Sequence, residues 1–155
     1  MKFAGSSKQL AVRGIRKYIL FCLLLTAYCS LSCSIPNLEK PQCTAARDTV
    51  KRFYSFHFGN DMRPSPEGLN ARKEFLTSEL FKELSVSNVS DTDYFTASDN
   101  YPRAFRVGEC KVSSDDRTAF GVMMLWRDEN SSDQKVINVE TALVDGKWLI
   151  NKVSN

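Results

Sequence analysis

The chain ends in two β-rich runs, residues 134–144 and 147–153, separated by the dipeptide Asp145-Gly146. A two-residue hairpin turn of type I′ needs a positive φ at both central positions, and Asp-Gly is one of the few pairs that tolerate it. The stretch is therefore read as an antiparallel hairpin. A two-residue loop sets its register, with Leu143 opposite Trp148, Thr141 opposite Ile150 and Val139 opposite Lys152. On the other side Ala142 meets Leu149 and Glu140 meets Asn151. One side is aromatic and aliphatic, and the other carries the polar row Asn138, Glu140 and Asn151.

Two more extended runs precede the hairpin. Residues 103–112 place Phe105 and Val107 on one face and Cys110 and Val112 on the other, a phase change that marks Gly108 as a bulge. In residues 117–127, Phe120, Val122, Met124 and Trp126 share one face, and Ala119, Met123 and Leu125 share the other. A strand apolar on both faces is central in its sheet and covered twice. Either a second copy packs on the far face, giving a homodimer through the open sheet, or curvature buries that face within the monomer.

The first half is helical. Ala46, Val50, Phe53, Tyr54 and His57 recur at helical spacing after Thr44, which is read as the N-cap, and Gly59 is read as the stop. Further helices are expected over 67–75 and from residue 77 or 78 to 84, where Leu76, Leu80, Leu84 and Phe81 form an apolar stripe. Residues 85–100 read as a polar crossover loop plugged by Tyr94-Phe95. Asp91-Thr-Asp93 within it lacks the ligand alternation and terminal glutamate of a calcium loop. With one histidine and scattered cysteines, no metal or cofactor site is expected.

Residues 1–34 stand apart from this core. Lys2, Lys8, Arg13, Arg16 and Lys17 precede an apolar run over 18–28 and then small residues, the pattern of a secretory signal, and no acid occurs before Glu39. Removing the segment takes 5 of the 21 Lys and Arg residues and leaves 16 against 18 acids, so the basic balance belongs to the leader. No basic face remains for nucleic acid. Residues 35–43, with Pro36 and Pro41, read as a tether, and 44–155 as a single domain. Cys43 and Cys110 then remain in an oxidising compartment, either bridged to each other or as a stray surface thiol and a small buried apolar residue.

Cys33 after Leu31-Ser32 resembles the lipobox of bacterial lipoproteins, although the leucine stands two residues before the cysteine where that pattern has three. Lipidation at Cys33, ordinary cleavage near Ser32 or Ser34, and retention as an anchor are all compatible with the segment. Each places the domain in the periplasm or tethered to a membrane by its N-terminal segment alone.

The order of elements, ending in Gly-Lys-Trp-Leu-Ile-Asn-Lys-Val, resembles the nuclear transport factor 2-like superfamily. Its α+β domains are cones, with N-terminal helices packed on a curved antiparallel sheet, here of about four strands. Val50-Lys-Arg-Phe-Tyr-Ser-Phe, Phe75-Leu-Thr-Ser-Glu-Leu-Phe and Asp91-Thr-Asp-Tyr-Phe95 are similar to segments of uncharacterised bacterial envelope proteins and lipoproteins of that fold. The resemblance implies an exported envelope domain without catalytic activity, binding a partner protein or a small apolar ligand. The same superfamily holds lyases, isomerases and hydrolases that work at the mouth of the cone, which is the alternative. The residues available for a polar site are Tyr54, His57, Asn138, Glu140 and Asn151; no acid-base pattern of those enzymes maps onto them, and none is read as catalytic.

Mass spectrometry of the mature chain distinguishes the three fates of the leader. A chain starting at an acylated Cys33 is the expected product of lipidation, and an unmodified Cys33 inside a longer chain removes that reading.

Overall fold

The computed structural model describes residues 39–87, 91–127 and 132–155. The leader, Cys33 and the first part of the tether lie outside these residues. Helix α1 spans Pro41–Phe58, α2 Pro66–Arg72 and α3 Ser78–Val86, with a single 3-10 turn, Lys73–Phe75, between α2 and α3. Strands β1 (Ala104–Ser114), β2 (Arg117–Arg127), β3 (Ser132–Val144) and β4 (Lys147–Ser154) form one antiparallel sheet in the order β1-β2-β3-β4. Three helices on a four-stranded antiparallel sheet make an α+β fold consistent with a nuclear transport factor 2-like cone.

Helix α1 opens earlier than Thr44. Pro41 takes the first helical position, where a missing N–H costs nothing, and the Thr44 N–H already bonds the Lys40 carbonyl at 3.1 Å. Residues 41–43 thus belong to the helix and not to a tether. The expected stripe forms: Ala46, Val50, Phe53 and Tyr54 are all fully buried. They pack on Phe120, Val122 and Met124 of β2, Ile137 and Val139 of β3, and Ile150 and Val153 of β4. Ser65 and Thr77 cap α2 and α3, accepting from the N–H groups of Gly68 (2.9 Å) and Leu80 (3.3 Å).

The terminal hairpin has the expected turn, with φ of 49° at Asp145 and 76° at Gly146. Its register departs from simple alternation after Ile150. Thr141 pairs with Ile150, but Glu140 pairs with Lys152 and Val139 with Val153, so Asn151 is the extra residue of a bulge. The expected pairs Val139–Lys152 and Glu140–Asn151 do not form. The physical reason is Val153, which is buried only if the strand gains one residue and returns it to the core face.

A second bulge lies at Gly108–Glu109, where pairing resumes at Cys110 opposite Phe120. It carries Cys110 and Val112 to the same face as Phe105 and Val107, opposite the buried side chains of β2. Gly108 is required there, because a Cβ would sit 2.8 Å from the Gly121 carbonyl oxygen.

Both sheet edges are capped. The Leu76–Thr77 segment bridges to β4, with the Thr77 N–H on the Ile150 carbonyl at 2.9 Å. On β1 the Arg47 guanidinium donates to the carbonyls of Val107 (3.3 Å) and Gly108 (2.8 Å). Arg47 also holds Glu39 in a forked ion pair, whose hydrogen bonds keep that carboxyl below its usual value. The outer face of the sheet carries Met123 and Leu125, both half-buried, and Val136, which is 58% exposed.

Beside the Arg47 clamp, Cys43 and Cys110 form a disulfide with a Cα–Cα distance of 5.9 Å. It joins the first turn of α1 to β1 and closes a separation of 67 residues. The double variant Cys43→Ala/Cys110→Ala is expected to lose about 4 kcal/mol by the chain-entropy relation, read as a lower urea midpoint. An unchanged midpoint would show that the bridge constrains nothing in the unfolded chain.

Candidate functional site

The site begins with His57, the single histidine of the chain, in the last turn of α1. Helical spacing from Ala46 and Val50 carries it to the buried side, where it is 1% exposed. A ring with two polar nitrogens in that position needs two partners. It finds them in Asp93, whose Oδ2 lies 2.9 Å from Nε2, and in Arg72, whose Nε donates to Nδ1 at 2.7 Å. Both partners are 3% exposed.

The chemistry of the partners assigns the tautomer. A guanidinium can only donate and a carboxylate can only accept. Nδ1 must therefore accept and Nε2 must carry the proton, so the imidazole is neutral between one buried cation and one buried anion.

Each end of this chain of hydrogen bonds is fixed by backbone. Asp93 Oδ2 also accepts from the Thr96 N–H (3.0 Å) and hydroxyl (2.7 Å), and its Oδ1 accepts from the Phe95 N–H at 3.3 Å. Arg72 donates from Nη1 to the Gly68 carbonyl (2.6 Å) and from Nη2 to the Asp61 carbonyl (2.8 Å). Burial pushes its guanidinium below the ordinary value, while Asp93 and Asp61 pull it back up.

Next to the network, the Tyr54 hydroxyl donates to the Phe95 carbonyl at 2.8 Å. Burial raises that phenol well above its ordinary value, and the Asp93 charge adds to the shift. The Tyr94 hydroxyl accepts from the Val153 N–H at 3.1 Å, and Lys135 Nζ reaches the Ala97 carbonyl at 3.0 Å. The loop over residues 93–97 is thus held to α1, β3 and β4 by polar groups.

Against this network lies a cleft of about 710 Å³. Its apolar lining comes from Met62, Leu69, Phe81, Leu84, Tyr94 and Val153, and His57, Arg72 and Asp93 form part of its wall. It opens at the mouth of the cone, between α2, α3 and the loop that carries Asp93. The cone interior itself is filled by Phe53 and Tyr54.

Of the five residues read from the sequence as a polar site, only His57 lines this cleft. Tyr54 is fully buried and engaged with Phe95. Glu140 and Asn138 alternate with the buried Val139 and Ile137, so they lie on the outer face of the sheet, away from His57. Asn151 is the bulge residue of β4. The polar spot expected inside the cone from these three residues does not form. In the sequence Asp93 is one acid of a polar loop and Arg72 one half of the Arg72-Lys73 pair, and neither stands out as a site residue. The available signal was the buried histidine, which had to be matched by an acceptor and a donor elsewhere.

The fold and site define an α+β domain with a buried aspartate, histidine and arginine beside an apolar cleft. No protein-family model matches the chain, and no curated protein matches its sequence. Among solved structures it is similar to a protein of unknown function from Bacteroides thetaiotaomicron VPI-5482, at TM-score 0.47 and 18% identity, over 71% of this chain and 88% of that chain. It is also similar to a SEC-C motif containing protein from Rhodopseudomonas palustris, at TM-score 0.34 and 12% identity, over 76% of this chain and 94% of that chain. Neither likeness bears on the site.

Removing one member of a buried, charge-balanced set leaves its partner uncompensated. Asp93→Ala is expected to cost about 3–5 kcal/mol of stability, measured by urea unfolding. Tyr54→Phe, which deletes one hydrogen bond and keeps the packing, is expected to cost about 1–2 kcal/mol. Equal costs for the two would contradict the charge balance described here.

Proposed function

We propose that this chain is an exported envelope domain that binds, without chemical conversion, a small apolar ligand or an apolar segment of a partner protein in the cleft between α2, α3 and the Asp93 loop. Export rests on the leader pattern of the first 34 residues. Binding rests on the cleft, whose size falls within the range of small-molecule sites and whose walls are mostly aliphatic and aromatic.

The observation that carries the non-catalytic reading is the commitment of both nitrogens of His57. A general base must present a free lone pair to its substrate, within hydrogen-bond reach. Here Nδ1 accepts from Arg72 and Nε2 donates to Asp93, and Asp93 itself accepts four hydrogen bonds. Proton transfer through this set requires breaking a buried ion-balanced network first. A lyase, isomerase or hydrolase of the same fold therefore stands second.

Leu84 and Phe81 on α3 are half-buried at the cleft wall, so they can be changed without opening the core. The neutral probe Nile red is expected to bind the domain with a blue-shifted, enhanced emission, and Leu84→Glu is expected to weaken that binding at least tenfold with little change in unfolding midpoint. Absence of probe binding to the unaltered domain, or binding indifferent to Leu84→Glu, would sink the cleft as the binding site.

A further inference from the structure

Resting on the cleft as a ligand site, we infer that its ligand is an apolar molecule ending in a carboxylate, held at the cleft wall by N–H groups of Arg72 that the protein leaves uncommitted. A guanidinium carries five N–H donors. Three of those on Arg72 are engaged among the described residues, one each with His57 Nδ1, the Gly68 carbonyl and the Asp61 carbonyl. Two remain. They belong to a side chain that is 3% exposed and lines the cleft.

The charge distribution favours an anion over a neutral polar head. The negative charge of Asp93 is already shared among four donors, whereas the direct hydrogen-bond partners of Arg72 are two neutral carbonyls and a neutral imidazole, and the Asp93 and Asp61 charges act on it only through space. A carboxylate meeting the remaining donors forms charge-assisted hydrogen bonds, which are short and strong where water is excluded. The nearest competing cation in the lining is Arg63, whose side chain is 80% exposed and points to solvent at the rim. Glu83, also in the lining, opposes an anion near α3, which favours the carboxylate at the Arg72 side and the apolar body along Met62, Leu69, Phe81 and Leu84.

The test compares two probes of equal length, dodecanoate and dodecanol, on the full exported chain by isothermal titration, with Nile red displacement as a second readout. Dodecanoate is expected to bind at least tenfold tighter than dodecanol, and the preference is expected to persist in Arg63→Gln. In the same complex, the side-chain N–H resonances of Arg72 are expected to shift on adding dodecanoate and to stay in place with dodecanol. Arg72→Lys, if it folds, is expected to reduce the preference to less than threefold; if it does not fold, the two probes on the unaltered chain still decide. Equal binding of the two probes, or a preference that vanishes in Arg63→Gln, overturns the role of Arg72 and leaves the apolar cleft standing. Binding of neither probe, together with no uptake of Nile red, overturns the cleft reading and this inference together.

Discussion

The imidazole of His57 sits between a group that can only donate and a group that can only accept, and much of the helical half of the molecule depends on that polarity. Arg72 and Asp93 are 15 and 36 residues away from His57 in sequence, the first at the end of the short helix α2 and the second in a loop. Phe95 beside Asp93 packs into the core, and Leu69 of α2 packs against it. To that packing the network adds a buried cation and a buried anion separated by a neutral ring, each finished by backbone groups. Such a set contributes modestly to net stability, because desolvation offsets most of its attraction. Its larger effect is on geometry, since it gives both nitrogens of His57 and both oxygens of Asp93 a partner.

Seen from α1, this network is one of two pins. At the first turn, Cys43 is bonded to Cys110 of β1, and Arg47 reaches the β1 carbonyls and stacks over the Phe120 ring at 5.2 Å. At the last turn, His57 is tied to both loops. Eighteen helical residues span about 27 Å, and the two pins sit in the first and last turns of the helix. Between them the helix is held by the packing of Ala46, Val50, Phe53 and Tyr54 against the sheet and by the Tyr54 hydroxyl on the Phe95 carbonyl. The N-terminal pin is covalent and the C-terminal one is polar. The difference matters to the cleft, which opens at the polar end.

Elements with a period were legible in the sequence, and interactions between loops were not. The helical stripe of α1, the two-faced strand β2 and the Asp145-Gly146 turn follow from local rules, and each has the predicted form in the structure. The register of β4 was misread because alternation was carried straight through Asn151. Yet two of the three register shifts leave the same trace in sequence: two inward-facing apolar residues three apart across a polar or glycine pair, Val107 to Cys110 and Ile150 to Val153. A spacing of three in a period-two strand means one residue too many. Reading it at 150–153, as it was read at 107–110, would have kept Asn151 from being paired with Glu140. Asp93 and Arg72 leave no such trace, since an aspartate in a polar loop and an arginine beside a lysine look the same whether solvated or buried.

The orientation of the hairpin decides where polar chemistry can occur in this fold. Val139 and Ile137 face α1, which sends Glu140 and Asn138 to the open side of the sheet, with Lys152 opposite Glu140. The face toward α1 carries mostly apolar side chains, with the Thr118–Thr141 hydroxyl pair, which satisfies itself at 2.7 Å, and Lys135, whose Nζ reaches the Ala97 carbonyl. Among the described residues, the cleft lies at the helical end, lined by His57, Arg72 and Asp93. There the loops are braced by polar anchors, and the proposed non-catalytic reading rests on how fully those anchors are engaged. Asp93 and His57 are used in that way. A guanidinium is the one group in the set with more donors than its neighbours have acceptors, so Arg72 can brace the loops and still face the cleft with donors to spare.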